Sequence, residues 1–391
     1  MSLITKKPSD DTLLIEVCDH IDTQNSTEFQ QELEEALQEG TYCTVILDAQ
    51  NLTYISSAGL RVVLALKKKI PDLSIINVSR EVYEIFEVTG FTQMIDVKKA
   101  YRPLSVDGLE MIGRGTCGTV YRLNPETIVK VFNRGFDISK IEKEQHSAQK
   151  AFVNGIETAI PFDIVKVGEQ FGIVYEILEA DTIRSCIKKD PDRLDHFMKI
   201  YSEFLKTMHT AHFEPGTLPE AKYGWTDWID RMDRYFNPEE KQAVKELFDS
   251  IPDRDTFVHG DYNIGNVLYD NGKAVLIDMA DASTGHPIYD VAGVYLALNL
   301  MAQLVPNDYC EKMTGFSKSD NDKMWRIFCW TYFDASSDED ILRCEEELRP
   351  YAAFRVLQAS LLVSAFPPQM LETCKNMLFD AIHDGIRPLS F

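Results

Sequence analysis

The first hundred residues switch repeatedly between two hydrophobic periods. "TLLIEV" (12–17) and "TVILD" (44–48) read as strands, and "STEFQQELEEALQEG" between them reads as an amphipathic helix. Ser26 is its candidate cap and Gly40 its stop. "SAGLRVVLALKKKI" predicts a second helix, "LSIINV" a strand, and "REVYEIFEVTGF" a third helix. Strands alternating with helices predict a compact α/β domain over 1–100. "AYRPLSVDG" then breaks the pattern at Pro103 and Gly108, so 101–108 is expected to be a linker. From 109 the period changes. "LEMIGRGTCGTVYRLNPETIVKVFN" predicts three strands joined by a Gly-rich turn and an Asn-Pro turn. A helix, "DISKIEKEQHSAQKAFV", follows, then strands "DIVKVG" and "FGIVYEIL". Beyond 181 the pattern is mainly helical, except for "NVLYD" and "AVLIDM", which flank Asn271-Gly272 as a hairpin. The second domain is therefore expected over 109–391, strand-rich over 109–180 and helical over 181–391.

Composition narrows the function. The chain has 391 residues and a net charge of −22, of which −7 falls in residues 1–100 and −15 in the rest. Neither part offers the basic footprint of a nucleic-acid or anionic-membrane binder. The eight cysteines are scattered without a Cys-x-x-Cys pair, which fits reduced thiols better than a disulfide frame or a zinc site. "MSLITKKPSD" does not read as a signal peptide, and "GVYLALNLMAQLV" is interrupted by Asn299 and Gln303. A cytoplasmic protein is expected.

Candidate chemistry gathers in the second domain. "GRGTCG" places Gly113, Gly115 and Gly118 at a hairpin tip, where missing side chains let backbone N–H groups approach phosphate oxygens. A glycine triplet alone also fits a dinucleotide fold, but no strand–turn–helix unit follows it. Lys130 stands in the apolar strand "TIVKVF", a costly place for an ammonium unless it is paired or bound to phosphate. Farther on, "HGDYNIGN" (259–266) sets Asp261 five residues before Asn266, and "VLIDMADAS" ends an apolar run at Asp278.

This order of glycine loop, strand Lys, helix Glu, catalytic loop and metal Asp resembles the protein-kinase-like fold. Within that fold it most resembles the aminoglycoside/choline phosphotransferase branch, whose His-Gly-Asp-x-x-x-x-Asn is matched by "HGDYNIGN". The branch's second motif is matched by "IDMADASTGHPIYD" at Asp278, Ala282, Gly285, Pro287 and Asp290. The resemblance implies an α+β bilobal architecture, ATP and Mg²⁺ as cofactors, and transfer of a phosphoryl group to a hydroxyl of a small molecule. It further implies that Asp261 accepts or orients the acceptor proton and that Asn266 and Asp278 are hard oxygen ligands for Mg²⁺. Lys130 would hold the α- and β-phosphates and be held by a helix Glu, Glu144 in preference to Glu142. Glu176 and Leu178 would offer backbone groups to adenine. His259 and Asp290 are expected to hold the loop. "YGWTDWIDRMDRYF" (223–236) could form an aromatic, acidic box for a cationic acceptor, although its helical spacing fits ordinary packing.

The first domain has its own candidate. "LDAQNLTYISSAGLRVVL" places Ser56 and Ser57 before a helix, where a serine is commonly an N-cap. The segment also resembles the STAS domain of anti-sigma factor antagonists, as does "INVSREVYEIFEVTGF". That resemblance places a phosphorylatable serine at Ser57, at a helix N-terminus that favours anionic charge. Ser56 departs from it, since phosphorylated members usually carry Asp there. The whole chain is thus expected to join an α/β STAS fold, for regulation or docking of a protein partner, to an ATP-dependent phosphotransferase. A serine kinase acting on a STAS serine and a nucleotide-sensing partner switch are the alternatives.

Overall fold

The computed structural model describes residues 3–385 except 10, 18, 39, 364 and 365. The chain divides into two units, Met1–Leu104 and Ser105–Phe391.

In the first unit, strands Ile4–Ser9, Thr12–Glu16, Thr44–Asp48, Asp72–Val78 and Asp96–Lys99 lie side by side in that order. The first pair is antiparallel and the others are parallel. Register places Leu13, Val45 and Leu73 in one row and Ile15, Leu47 and Ile75 in the next, and all six are almost fully buried. Alternation along each strand therefore turns one complete face into the core. Phe29, Leu33 and Ala36 recur at helical spacing on Ser26–Gln38 and close over it, as do Leu60, Val63 and Leu66 on Ser57–Lys69. Two strands, Ile4–Ser9 and Asp96–Lys99, lay outside the hydrophobic reading. Ile4–Ser9 is exposed throughout and Asp96–Lys99 has no buried residue, so neither edge strand carries an apolar signal.

The second unit opens with antiparallel strands. Met111–Arg114, Gly118–Arg122, Thr127–Phe132, Gln170–Glu176 and Pro161–Val167 pair successively in that spatial order. Helix Ile138–Val153, capped by the Asp137 carboxylate, buries Ile141, Glu144, Ala148 and Ala151. The remainder is helical around one large core, crossed by the hairpin Val267–Asp270/Lys273–Leu276. Its turn has Asn271 at φ 47° and Gly272 at φ 94°, the paired positive values that a two-residue hairpin turn of this hand requires. Helix Ile288–Tyr295 widens into a π turn over Leu296–Leu300 before Met301–Leu304. Among the described residues no helix is long and apolar enough to cross a membrane.

Candidate active site

Gly118 is glycine for a packing reason. A Cβ there would stand 2.2 Å from Val131 O, in the paired strand. Gly113 and Gly115 meet no such obstacle and do not have positive φ. Gly115 N–H closes the turn onto Gly118 O at 2.9 Å. The turn is thus pinned at Gly118 and leaves open space around Gly115.

From the middle of Thr127–Phe132, Lys130 Nζ donates to Glu144 Oε1 at 2.7 Å and to Asp278 Oδ1 at 3.1 Å. The buried Tyr175 hydroxyl donates to the same Glu144 oxygen at 3.1 Å. Burial works against the Lys130 charge, but the two carboxylates outweigh it and raise the ammonium pKa. Glu144 is 2% exposed. Desolvation raises its carboxyl despite Lys130, and the Asp278 charge adds to the effect. A strand ammonium, a helix carboxylate and a carboxylate from the helical part are therefore joined through one nitrogen.

The segment 259–266 is held from outside by the second motif's Asp290 and, through it, by His209. The buried Asp290 carboxylate accepts the His259 and Gly260 N–H groups, each at 2.7 Å, and His209 Nε2 lies 3.2 Å from it. Burial opposes the Asp290 charge, but the His209 hydrogen bond and charge, together with the His259 backbone N–H, hold its pKa below the ordinary value. His259 Nδ1 accepts the Asp261 N–H at 3.3 Å, so Nε2 is the nitrogen that donates to Ile277 O at 3.2 Å. Gly260 has φ 84°, and a Cβ there would meet Asp281 O at 2.6 Å, so this position requires glycine twice over.

The five-residue spacing of Asp261 and Asn266 has a direct cause. Asn266 Nδ2 reaches back to Asp261 O and to Asp261 Oδ2, both at 3.0 Å. Ile277 N–H donates to Asn266 O at 3.0 Å, which sets Asp278 beside this loop. Asp278 itself has φ 66°, a left-handed backbone for a residue other than glycine and a strained conformation of the kind that concentrates at functional sites. The Asp261 side chain stays exposed to a cleft whose walls crowd it. Desolvation raises its pKa, opposed by Arg355 and assisted by Asp281 and Asp278.

That cleft has a volume of about 800 Å³ and is lined by Asp261, Asp281, Lys143, Asp227, Trp228 and Arg355, among others. Arg355 Nη2 donates to Gly260 O at 3.0 Å, and its guanidinium lies over the Trp225 ring at 5.2 Å. Trp225 is 6% exposed and packs on Phe354, Phe248 and Tyr289. Arg231 likewise covers Trp228 at 5.3 Å. Trp225 is thus a packing group with Arg355 over one face, whereas Trp228 is partly buried, carries Arg231 over one face and lines the cleft beside Asp227. At the other expected contact, Glu176 N–H is committed to Ile160 O at 3.1 Å, and Leu178 O accepts from Ala180 N–H at 2.8 Å. Of the groups expected to meet adenine, the Glu176 N–H is therefore already used within the protein.

In the first unit the Ser56 side chain is the N-cap of Ser57–Lys69, accepting from Gly59 N–H at 3.4 Å. Ser57 is exposed in the first helical turn.

Arg355, His209 and Tyr175 escaped the sequence reading. Arg355 did leave a signal, being the one charged residue in the apolar run "YAAFRVLQAS". His209 and Tyr175 act across 81 and 31 residues of chain, with no local pattern to mark them.

The phosphotransferase enzyme family matches residues 109–312, and the STAS domain matches 4–103. The chain belongs to the phosphotransferase enzyme family and carries an N-terminal STAS domain. Over 81 residues it is 35% identical to a Bordetella bronchiseptica protein described as "Putative anti-sigma factor antagonist BtrV", covering 20% of this chain and 69% of that protein. Among solved structures, a choline/ethanolamine kinase family protein from Mesorhizobium loti is 13% identical, with 72% of this chain and 93% of that chain covered at a TM-score of 0.48. The ADP-bound aminoglycoside phosphotransferase APH(2'')-Ib is 16% identical, with 75% and 98% covered at a TM-score of 0.43.

Proposed function

We propose that this phosphotransferase moves the γ-phosphoryl group of ATP to a hydroxyl of a small molecule, with the STAS domain docking a regulatory protein. The observation that carries this reading is the convergence of Asp261, Asn266, Asp278, Lys130 and Glu144 across a span of 148 residues. When bound, ATP would supply the phosphoryl group and Mg²⁺ would neutralise its oxygens. The donor set fits that demand. Among the described residues no three His, Cys, Asp or Glu side chains gather as a metal cage. Asn266 and Asp278 together offer two hard oxygens, which suits an ion that keeps its waters and shares phosphate.

In this reading Lys130, braced by Glu144, holds the α- and β-phosphates. Gly113, Gly115 and Gly118 shape the turn over them, and Glu176 and Leu178 offer their remaining backbone groups to adenine. Asp261 takes the acceptor's proton as the new oxygen–phosphorus bond forms and the bond to the departing ADP breaks. Asn266 fixes the Asp261 carboxylate. Ser57 is the candidate phosphosite, because it is exposed where backbone N–H groups and the helix dipole favour an anion. Acceptor-dependent ADP formation by the purified chain tests the reading. Loss of that turnover in Asp261→Asn with Mg-ATP binding retained supports it, and undiminished turnover removes it.

A further inference from the structure

Two smaller cavities adjoin the catalytic loop besides the large cleft. One, of about 270 Å³, is lined by Asp261, Asn263, Arg184 and Arg355. The other, of about 260 Å³, is mostly apolar, walled by Leu296, Met301, Phe316 and Val356 with Arg184 and Asn263 at its polar end. Arg184, Asn263, Leu296 and Ala297 line both. Leu296 is the first residue of the π turn, so a local widening of that helix contributes a wall to each.

Arg184 follows Ile183 in helix Ile183–Lys189, and its N–H donates to Ile264 O at 2.8 Å, which seats it against the catalytic loop. Its Nε is buried without a hydrogen-bond partner, and among the described residues no carboxylate forms an ion pair with it. Asn321, also lining the apolar cavity, is 1% exposed. Its Nδ2 donates to Thr314 Oγ1, Phe316 O and Ser317 O at 2.9–3.2 Å, while its Oδ1 is buried without a partner. Both residues line the same cavity, and each keeps one buried polar atom without a partner, a desolvation cost that a small shift of the side chain toward a ligand or water would relieve.

We propose that the acceptor is a hydroxy carboxylic acid, its carboxylate paired with Arg184 and its hydroxyl presented to Asp261. This rests on the phosphotransferase reading. The apolar wall suits a short carbon skeleton, and Asn321 Oδ1 suits an N–H or O–H donor on it. Charge points the same way. The smaller cavity at Asp261 is lined by two guanidinium groups, and its other carboxylate, Asp290, is spent on backbone N–H groups and His209. An ammonium acceptor is the direct rival, because the larger cleft carries Asp227, Asp281 and Glu220, but Arg355 and Arg231 already occupy one face of each of its indoles. The transfer is balanced: the acceptor oxygen gains the phosphoryl group, Asp261 takes its proton, and ADP departs.

The test uses the full chain with Mg-ATP and measures ADP formation on glycerate, 4-hydroxybutyrate and serine, each beside its primary amide, with choline as the cationic comparison. The expected kcat/KM is about 10- to 100-fold higher for an acid than for its amide, the effect of one charge-assisted hydrogen bond. Arg184→Gln brings that ratio close to one, and Arg184→Lys retains part of it. Circular dichroism melting establishes that each variant is folded. Choline or the amides serving as well as the acids, none of the acids being used by a wild type that binds Mg-ATP, or an undiminished ratio in folded Arg184→Gln would each overturn the proposal. A wild type that neither binds Mg-ATP by calorimetry nor forms ADP with any acceptor overturns the phosphotransferase reading beneath it.

Discussion

Asp261 and Asp290 stand 29 positions apart and show how one residue type is put to two uses by its surroundings. Asp261 opens into a cleft and has its pKa raised by desolvation, which suits a group that must take a proton. Asp261→Asn keeps the shape of the side chain and removes only its charge. Turnover should therefore fall by roughly 10²- to 10⁴-fold, the usual share of general acid–base catalysis, with Mg-ATP affinity retained in calorimetry. Because the Asp261 pKa lies above 3.8, wild-type turnover should fall on acidification with a midpoint above that ordinary value. The residual rate of Asp261→Asn should lack that limb. Asp290 is fully enclosed and held below its ordinary pKa by His209 and His259. Its contribution to stability is complete above pH 3.8 and is lost as the pH falls through its lower folded value. Urea midpoints measured down this range should show a shallower acid dependence for Asp290→Asn. Asp290→Ala, which strands two backbone N–H groups and His209, should cost about 3–5 kcal/mol.

At the scale of elements, the glycine turn separates two roles that the sequence merges. Gly118→Ala must push apart two paired strands, because the obstructing atom is a backbone oxygen. A loss of about 1–3 kcal/mol in chemical denaturation is expected. Gly115→Ala enters open space and should leave the denaturation midpoint almost unchanged, while weakening Mg-ATP binding if the turn closes over phosphate. The two variants measured side by side distinguish packing from ligand approach. The π turn at Leu296–Leu300 is a second case in which a local departure from regular structure matters, since regular helical spacing would move Leu296 relative to the cavities it lines.

At the scale of the molecule, each unit has its own hydrophobic core, and none of the core residues is shared. Residues 1–104 produced alone should therefore melt cooperatively, as a domain with its own core does, and circular dichroism would read the transition. Ser57 belongs to that unit, so Ser57→Asp should change the proteins retained from a lysate of the source cells more than it changes ATP turnover. Identical retained sets for wild type, Ser57→Ala and Ser57→Asp would leave Ser57 without a switching role.

The sequence by itself determined the elements whose cause is local. Alternation placed the central strands, Asn271-Gly272 set the hairpin turn, and the order of "GRGTCG", Lys130, "HGDYNIGN" and Asp278 marked the site. Edge strands such as Ile4–Ser9 stayed silent because they bury nothing, and a hydrophobic pattern reports only burial. Tertiary structure alone decided which charges meet. It settled Glu144, which the motif order already favoured over Glu142, as the partner of Lys130, brought His209 to Asp290, and laid Arg355 over the buried Trp225. It also left Arg184 Nε without a partner beside the catalytic loop. Pairing between distant side chains depends on how helices and strands pack, and no local period along the chain encodes that distance.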